Sequence, residues 1–321
     1  MPDQYKKIDQ VVWVVDNVSA TIMGWQKLGF SQIIEPDTVD ARSGKAGNPF
    51  KVVMAKANLG GANVTWIQPL EGHSVFSDFY KRHKEGIMSL VFRFDEDSLQ
   101  KEKERLIKLQ VDVLDDITFY TNEGTIQYHF EDTFEKGKYI LGLTAGTTDS
   151  HYFDKLSNTN QHHLILKHYA FAIKTETLPV VATYWRQLGF EEILPDNLFN
   201  RSEKQYYGKP SDFELSMAWQ EQDPYDYEWI MTLKQPTLVD DHLKKHGEGL
   251  QHLGFISLVN GEIQPLDRVL EDYRSQNIVP AMGASFGEKG KPGSGYFRMM
   301  DTDRYGGVTL ELLWWVPLQK K

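Results

Sequence analysis

The sequence predicts an α+β protein assembled from four β-α-β-β-β units in two related halves, and three observations support that class. The first is an internal duplication, which has to be recognised before any motif is interpreted. DFYKRHKEGIMSLVF (Asp78–Phe92) matches DHLKKHGEGLQHLGF (Asp241–Phe255) at an offset of 163, with seven of fifteen positions identical. VTWIQPLEG (Val64–Gly72) falls on YEWIMTLKQ (Tyr227–Gln235) at the same offset, and GWQKLGF (Gly24–Phe30) falls on YWRQLGF (Tyr184–Phe190) after a small shift. The second is the order of periodicities: an alternating strand, a helical stretch and further strands, twice in each half. The third is Thr144–Gln161, a polar, turn-rich segment with the composition of a linker. The expected division is a half over 1–145, a linker over 146–163 and a half over 164–321.

Taken in order, Asp9–Val15 alternates and is β-branched, so it reads as a strand. Ser19–Leu28 has helical period and stops at Gly29, and strand-like runs follow at Phe50–Ala57 and Val64–Ile67. A second unit opens with strand Ile87–Phe94 and helix Ser98–Leu109, then runs to strands near Ile126–Phe130 and Tyr139–Leu143. In the other half the same order gives strand Lys167–Ile173, helix Pro179–Leu188, and strands near Phe213–Trp219 and Tyr227–Leu233. After a charged helix over Leu238–His246 come strand Gln251–Leu258, helix Ile263–Gln276, and strands near Tyr296–Met300 and Val308–Trp314.

Composition removes several function classes. The 321 residues are 40 % apolar and 25 % charged, the balance of a globular protein. No apolar run approaches the length of a membrane span. A net charge of −10 argues against a nucleic-acid partner. There is no Gly-rich phosphate loop and no Gly-x-Ser-x-Gly elbow. Without cysteine, any metal site must use His, Asp and Glu. That lack and the absence of an apolar leader in MPDQYKKIDQ give the expectation of a cytoplasmic protein.

His252 stands inside the apolar run of GEGLQHLGF, where an unpartnered imidazole costs about 1–3 kcal/mol. Glu311 stands in VTLELLWW, where a solvated face is hard to arrange and a carboxylate wants a cation. Four β-α-β-β-β units paired two by two, with the strings LKHYAFAI, YEWIMTL, GEGLQHLGF and GGVTLELL, resemble the vicinal oxygen chelate superfamily. Its members include glyoxalase I, methylmalonyl-CoA epimerase and the type I extradiol dioxygenases. The resemblance covers about residues 8–315. It implies two open, glyoxalase-like β-barrel domains with a metal inside a barrel, and it places the ligands at His168, Glu228, His252 and Glu311. Two imidazoles and two carboxylates suit one divalent ion of Fe, Mn, Co, Ni or Zn. The first half carries Gln10, Thr65, Ser89 and Leu141 at the matched positions, so it is expected to be a metal-free barrel that buttresses or dimerises.

Other residues have a bland and a sharp reading. Arg298 and Tyr296 lie two apart on one strand face; if it faces inward, Arg298 grips a carboxylate and Tyr296 donates a proton. Asn197–Asp212, with Arg201, Lys204, Tyr206, Tyr207 and Lys209, is either an exposed loop or a lid giving aromatic and cationic contacts to an anionic substrate. His162 and His163 read as a surface pair, and His242, His246 and His83 as solvated helix residues.

The resemblance implies a small-molecule substrate with vicinal oxygens or an anionic group. It implies proton transfer through an enolate, with Glu311 or Glu228 as base, in epimerase, isomerase or glyoxalase-like lyase chemistry. The alternative is an Fe(II) dioxygenase using His168, His252 and Glu311, and a third is a ligand binder without turnover. Glu228 favours the first, because the dioxygenases leave that position open. The extradiol signature is also missing, since the stretch reads YFRMMDTDRYGG. Against this, a two-barrel chain metallated only in its second barrel is the dioxygenase layout.

Overall fold

The structure, a computed structural model, describes residues 3–196, 201–222 and 224–317. Eight strands come from the first half: β1 (Ile8–Val14), β2 (Ile33–Ser43), β3 (Pro49–Leu59), β4 (Ala62–Glu71), β5 (Gly86–Arg93), β6 (Val113–Thr121), β7 (Gly124–Glu131) and β8 (Ile140–Thr144). The helices there are α1 (Val18–Lys27), α2 (Val75–His83), α3 (Glu96–Lys108), α4 (Phe134–Gly137) and α5 (Thr148–Phe153). The second half supplies β9 (Leu164–Ala172), β10 (Leu194–Asp196), β11 (Arg201–Tyr206), β12 (Lys209–Pro210), β13 (Glu214–Gln220), β14 (Asp226–Lys234), β15 (Gly249–Val259), β16 (Glu262–Ile263), β17 (Pro280–Phe286), β18 (Gly295–Met300) and β19 (Thr309–Trp315). Its helices are α6 (Leu178–Gln187), α7 (Leu238–His246) and α8 (Asp267–Ser275).

The expected paired barrels are present. The first eight strands close in the order β1-β4-β3-β2-β6-β7-β8-β5. The second sheet runs β10-β13-β14-β9-β15-β19-β18-β17-β11-β12 and is open among the described residues. In each barrel the opening strands of the two units pair antiparallel, β1 with β5 and β9 with β15. Each opening strand also pairs parallel with the closing strand of its own unit. Four strands per barrel therefore aim alternate side chains at one interior point.

Each unit holds strands beyond the three runs read from the sequence: β2, β6, β10 to β12, and β16 and β17. The unrecognised strands include β2, whose IIEPDTVDARS carries a proline and three acidic residues. A register irregularity between Ile34 and Asp37 absorbs Pro36, the kind of bulge that tolerates a missing N–H. Pairing of β2 with β6 (Asp40 to Tyr120, Ser43 to Ile117) closes the ring.

Between the halves lies one core in which Trp13, Trp25, Trp185, Tyr139 and Phe255 are fully buried. Trp25 Nε1 donates to the Tyr305 carbonyl (3.0 Å), and Trp185 Nε1 to that of Gly137 (2.9 Å). Among the described residues no helix is long and apolar enough to cross a membrane.

Within the segment read as a linker, α5 sinks Asp149, 3 % exposed, into the first barrel. There its carboxylate takes hydrogen bonds from Lys56 Nζ, Gln10 Nε2 and Tyr128 Oη (2.7 Å for the last).

Candidate metal centre

Strand register fixes which residues of the second barrel converge. Across β9 and β14, Ala170 pairs with Glu228; across β9 and β15, Ala170 pairs with His252 and His168 with Gly254; across β15 and β19, Gly254 pairs with Glu311. His168, Glu228, His252 and Glu311 therefore alternate onto one face. Each is at most 4 % exposed, and one ligand atom from each lies within 4.8 Å of the others.

His168 Nε2 is 3.3 Å from Glu228 Oε2 and 3.1 Å from Glu311 Oε2; His252 Nε2 is 3.2 and 3.4 Å from the same atoms. The two Nε2 atoms are 3.4 Å apart. Metal bonds of about 2.0–2.2 Å put neighbouring ligands about 3.0 Å apart at right angles and about 3.4 Å at the tetrahedral angle. The observed separations fall in that range. Glu311 Oε2 is buried with no hydrogen-bond geometry to any partner among the described residues, as an oxygen reserved for a cation would be. The residues fit a divalent ion with borderline N/O preference.

Neighbouring groups orient this set. His252 Nδ1 is 2.5 Å from Gln251 Oε1, so it donates there and leaves Nε2 to face the carboxylates. Burial works against an imidazolium at His252, yet the Glu311 and Glu228 carboxylates outweigh it and raise its pKa to about 9. Burial likewise disfavours ionised Glu311, but His252 and His168 hold it below the usual carboxylate range. Without a metal, protons do the neutralising.

Gly254 is a residue that the sequence reading missed. A Cβ there would come within 2.3 Å of His168 Cε1, so only glycine leaves room for the imidazole. Its counterpart in the first half is Val91, beside Gln10 rather than a histidine. The glycine within GLQHLGF, set against valine within IMSLVF, was the available signal.

A cavity of about 260 Å³ opens onto His168, Glu228 and Glu311, with His252 buried behind them. Its walls are mostly apolar, from Leu215, Met217, Phe297 and Met299 to Leu313 and Trp315, with Lys167 and Asp226 also contributing. Arg201 lines it too, its guanidinium donating to the Leu215 carbonyl (3.2 Å) and approaching Met217 Sδ (3.1 Å).

Several expected contacts fall elsewhere. Phe297 and Met299 face this cavity, so alternation turns Tyr296 and Arg298 outward. Arg298 lies over the Tyr296 ring (4.9 Å) and donates to the carbonyls of Ala284 (3.2 Å) and Phe297 (2.7 Å), while Tyr296 Oη accepts from the Leu266 amide. Tyr206 Oη donates to Asp241 on α7 (2.5 Å), and Tyr207 is half exposed on a different cavity. The lid segment's residues 197–200 lie outside the described residues. His242 and His246 are buried rather than solvated, because their face of α7 packs toward α2, and His162 is buried 3.0 Å from Asp272.

Among the described residues the first barrel brings no such cluster together. Register matches Gln10 to His168, Thr65 to Glu228 and Ser89 to His252. It matches Glu311 to Gly142, not to Leu141: Leu141 pairs with Leu90 as Leu310 pairs with Leu253, and one position further along are Gly142 and Glu311. A one-residue slip moves a side chain to the opposite face. A Cβ at Gly142 would lie 2.6 Å from Ser89 Oγ, so no carboxylate fits. Lys56 takes the place of Trp219, and its ammonium donates to Thr65 Oγ1 (3.0 Å) and pairs with Asp149.

No protein-family model matches the sequence, and no curated protein does. Among solved structures, the chain overlays a triple mutant of 4-hydroxymandelate synthase from Streptomyces coelicolor with a TM-score of 0.55 and 13 % identity, across 98 % of this chain and 94 % of that one. It also matches a xylose isomerase-like TIM barrel/4-hydroxyphenylpyruvate dioxygenase fusion protein with a TM-score of 0.49 and 12 % identity, over 96 % of this chain and 49 % of the other. The chain shares the paired-barrel fold of that synthase.

Proposed function

We propose that the protein is a divalent-metal-dependent enzyme that binds two adjacent oxygens of a small substrate and moves a proton at the neighbouring carbon. Epimerases, isomerases and glyoxalase-type lyases work this way. The observation that carries the reading is Glu228 Oε2, within 3.3 Å of both Nε2 atoms, which makes a fourth protein donor where dioxygenases of this fold use three. His168, His252, Glu311 and Glu228 would hold the ion, which when bound would supply Lewis acidity to the substrate oxygens.

Glu228 is the group assigned as base, because His168, His252 and Glu311 would hold the ion without it. Its Oε2 takes the proton from the carbon α to the carbonyl and returns it to a neighbouring atom. Arg201 meets an anionic end of the substrate. The apolar walls take the rest and keep water from the reacting carbon.

The test is proton exchange in D2O, with metal-loaded protein and a panel of 2-oxo acids, 2-hydroxy acids and acyl thioesters. Exchange in the wild type and its loss in Glu228→Gln, with metal content retained, are expected. Exchange in neither protein, or at equal rates in both, defeats the reading.

A dioxygenase is the second reading, favoured by the overlay on 4-hydroxymandelate synthase across nearly the whole of both chains. Here His168, His252 and Glu311 would hold Fe(II). Oxygen uptake by the Fe(II)-loaded protein on catechols or 2-oxo acids, without proton exchange, selects it.

A further inference from the structure

A second cluster of ligand-type side chains lies outside this centre, where α7 meets the turn before β19. Nitrogens of His242 and His246 and a carboxylate oxygen of Asp303 all lie within 4.8 Å of one another. We propose that His242, His246 and Asp303 form a second divalent-metal site, of the borderline class that takes imidazole and carboxylate together, open to a cavity of about 280 Å³.

The atoms are presented as ligands. Four residues apart on α7, His242 and His246 share a helix face, with ring centroids 4.8 Å apart. His246 Nδ1 lies 2.9 Å from the His83 carbonyl, an acceptor that fixes the proton on Nδ1. Nε2 then turns its lone pair to Asp303 Oδ1, 3.0 Å away, and two acceptors that close need a proton or a cation between them. His242 is 7 % exposed, lines the cavity, and has no hydrogen-bond partner among the described residues. Lys245 also pairs with Asp303, but its side chain is 54 % exposed and free to swing into solvent.

The first half supplies a control. By the repeat, Phe79 and His83 occupy the places of His242 and His246. Thr133 Oγ1 accepts from the Leu141 amide (2.8 Å) as Thr302 Oγ1 accepts from that of Leu310 (2.7 Å), which puts Phe134 in the place of Asp303. Phe79, His83 and Phe134 pack as rings, with centroids 4.4–5.9 Å apart. His83 and His246 exchange the same Nδ1-to-carbonyl contact, 2.9 Å each way, so one imidazole per half serves the junction. Packing at the other two positions is met by phenyl rings. An imidazole and a carboxylate there add polar, ligand-type atoms that the junction does not need, and they appear only in the half holding the first cluster.

Metal content after equilibration with micromolar buffered Zn2+ tests this, measured by elemental analysis on the full chain. Two equivalents are expected in the wild type. One is expected in His242→Phe, which installs the residue the first half already packs, and one in His252→Ala, with none in the double variant. The proposal falls if His242→Phe binds as much Zn2+ as the wild type. It falls equally if the wild type binds one equivalent that His252→Ala removes. An unchanged content in His252→Ala counts against the first centre alone. Should His242→Phe fail to fold, Asp303→Asn gives the same comparison, with tenfold or more weaker binding of the second equivalent expected and unchanged binding overturning the site.

Discussion

The two barrels share one register and solve the same electrostatic problem in opposite ways. At equivalent interior positions the first carries Gln10, Thr65, Ser89 and Gly142, and the second His168, Glu228, His252 and Glu311. The first barrel is also filled, with Phe50, Phe76, Phe119 and Phe130 packing inside it, whereas the second keeps a cavity. In the first, Lys56 is the cation and Asp149, from the linker, neutralises it. In the second, two carboxylates face two imidazoles, and the charge balance is left to a ligand. Burying a charge is costly unless it is paired. One barrel has therefore made its pairing internal, while the other gathers four side chains that could hold a metal ion.

The sharpest way to break this comparison is to remove one donor from each barrel. His252→Ala is expected to abolish metal binding at its centre, while Ser89→Ala leaves metal content unchanged; elemental analysis of both proteins reads this directly. Next in size is the internal ion pair. Asp149→Asn is expected to cost about 3–5 kcal/mol in urea unfolding, because it strands the Lys56 ammonium. Lys56→Met combined with Asp149→Leu should recover most of that loss, and neither change should affect the metal. No recovery in the double variant would mean that Asp149 acts through its bonds to Gln10 and Tyr128 instead.

A smaller effect separates two glycines. Gly254→Ala pushes on His168 and is expected to weaken metal binding by about 10–100-fold, as displacing a ligand's support does. Gly142→Ala crowds Ser89 and should cost about 1–3 kcal/mol of stability with metal affinity unaltered. Equal metal affinities in the two variants would refute the assigned role of Gly254.

The smallest expected effect is a pH dependence. Burial opposes the Asp149 carboxylate, but the Lys56 ammonium and the hydrogen bonds from Lys56, Tyr128 and Gln10 outweigh it, so its folded-state pKa lies below the ordinary value. The stability it contributes is complete above the unfolded value of about 4 and is lost as pH falls through the folded one. Urea midpoints compared between pH 6 and pH 3 should fall more steeply for the wild type than for Asp149→Asn.

Much of the site was legible because the duplication turned the first half into an internal reference. His168, Glu228 and His252 stand in strings whose partners carry Gln10, Thr65 and Ser89, and strand alternation alone puts each on the interior face. Leu141 was matched one position from Gly142 because the strings around β8 and β19 share little beyond leucine. Tyr296 and Arg298 were assigned to one face correctly, but which face depends on the neighbours of β18. His242 and His246 read as solvated because the helix they share is charged, and only the opposing half buries them.

By itself the sequence determined the class of fold, the repeat, and the presence of imidazole and carboxylate at the matched strand positions of the second half, since periodicity and residue chemistry are local properties. Tertiary structure decided the rest. It brought Asp149 to Lys56 across 93 positions, emptied one barrel while filling the other, and set Gly254 beneath His168. Such contacts depend on how distant strands register and close, and no local pattern encodes that.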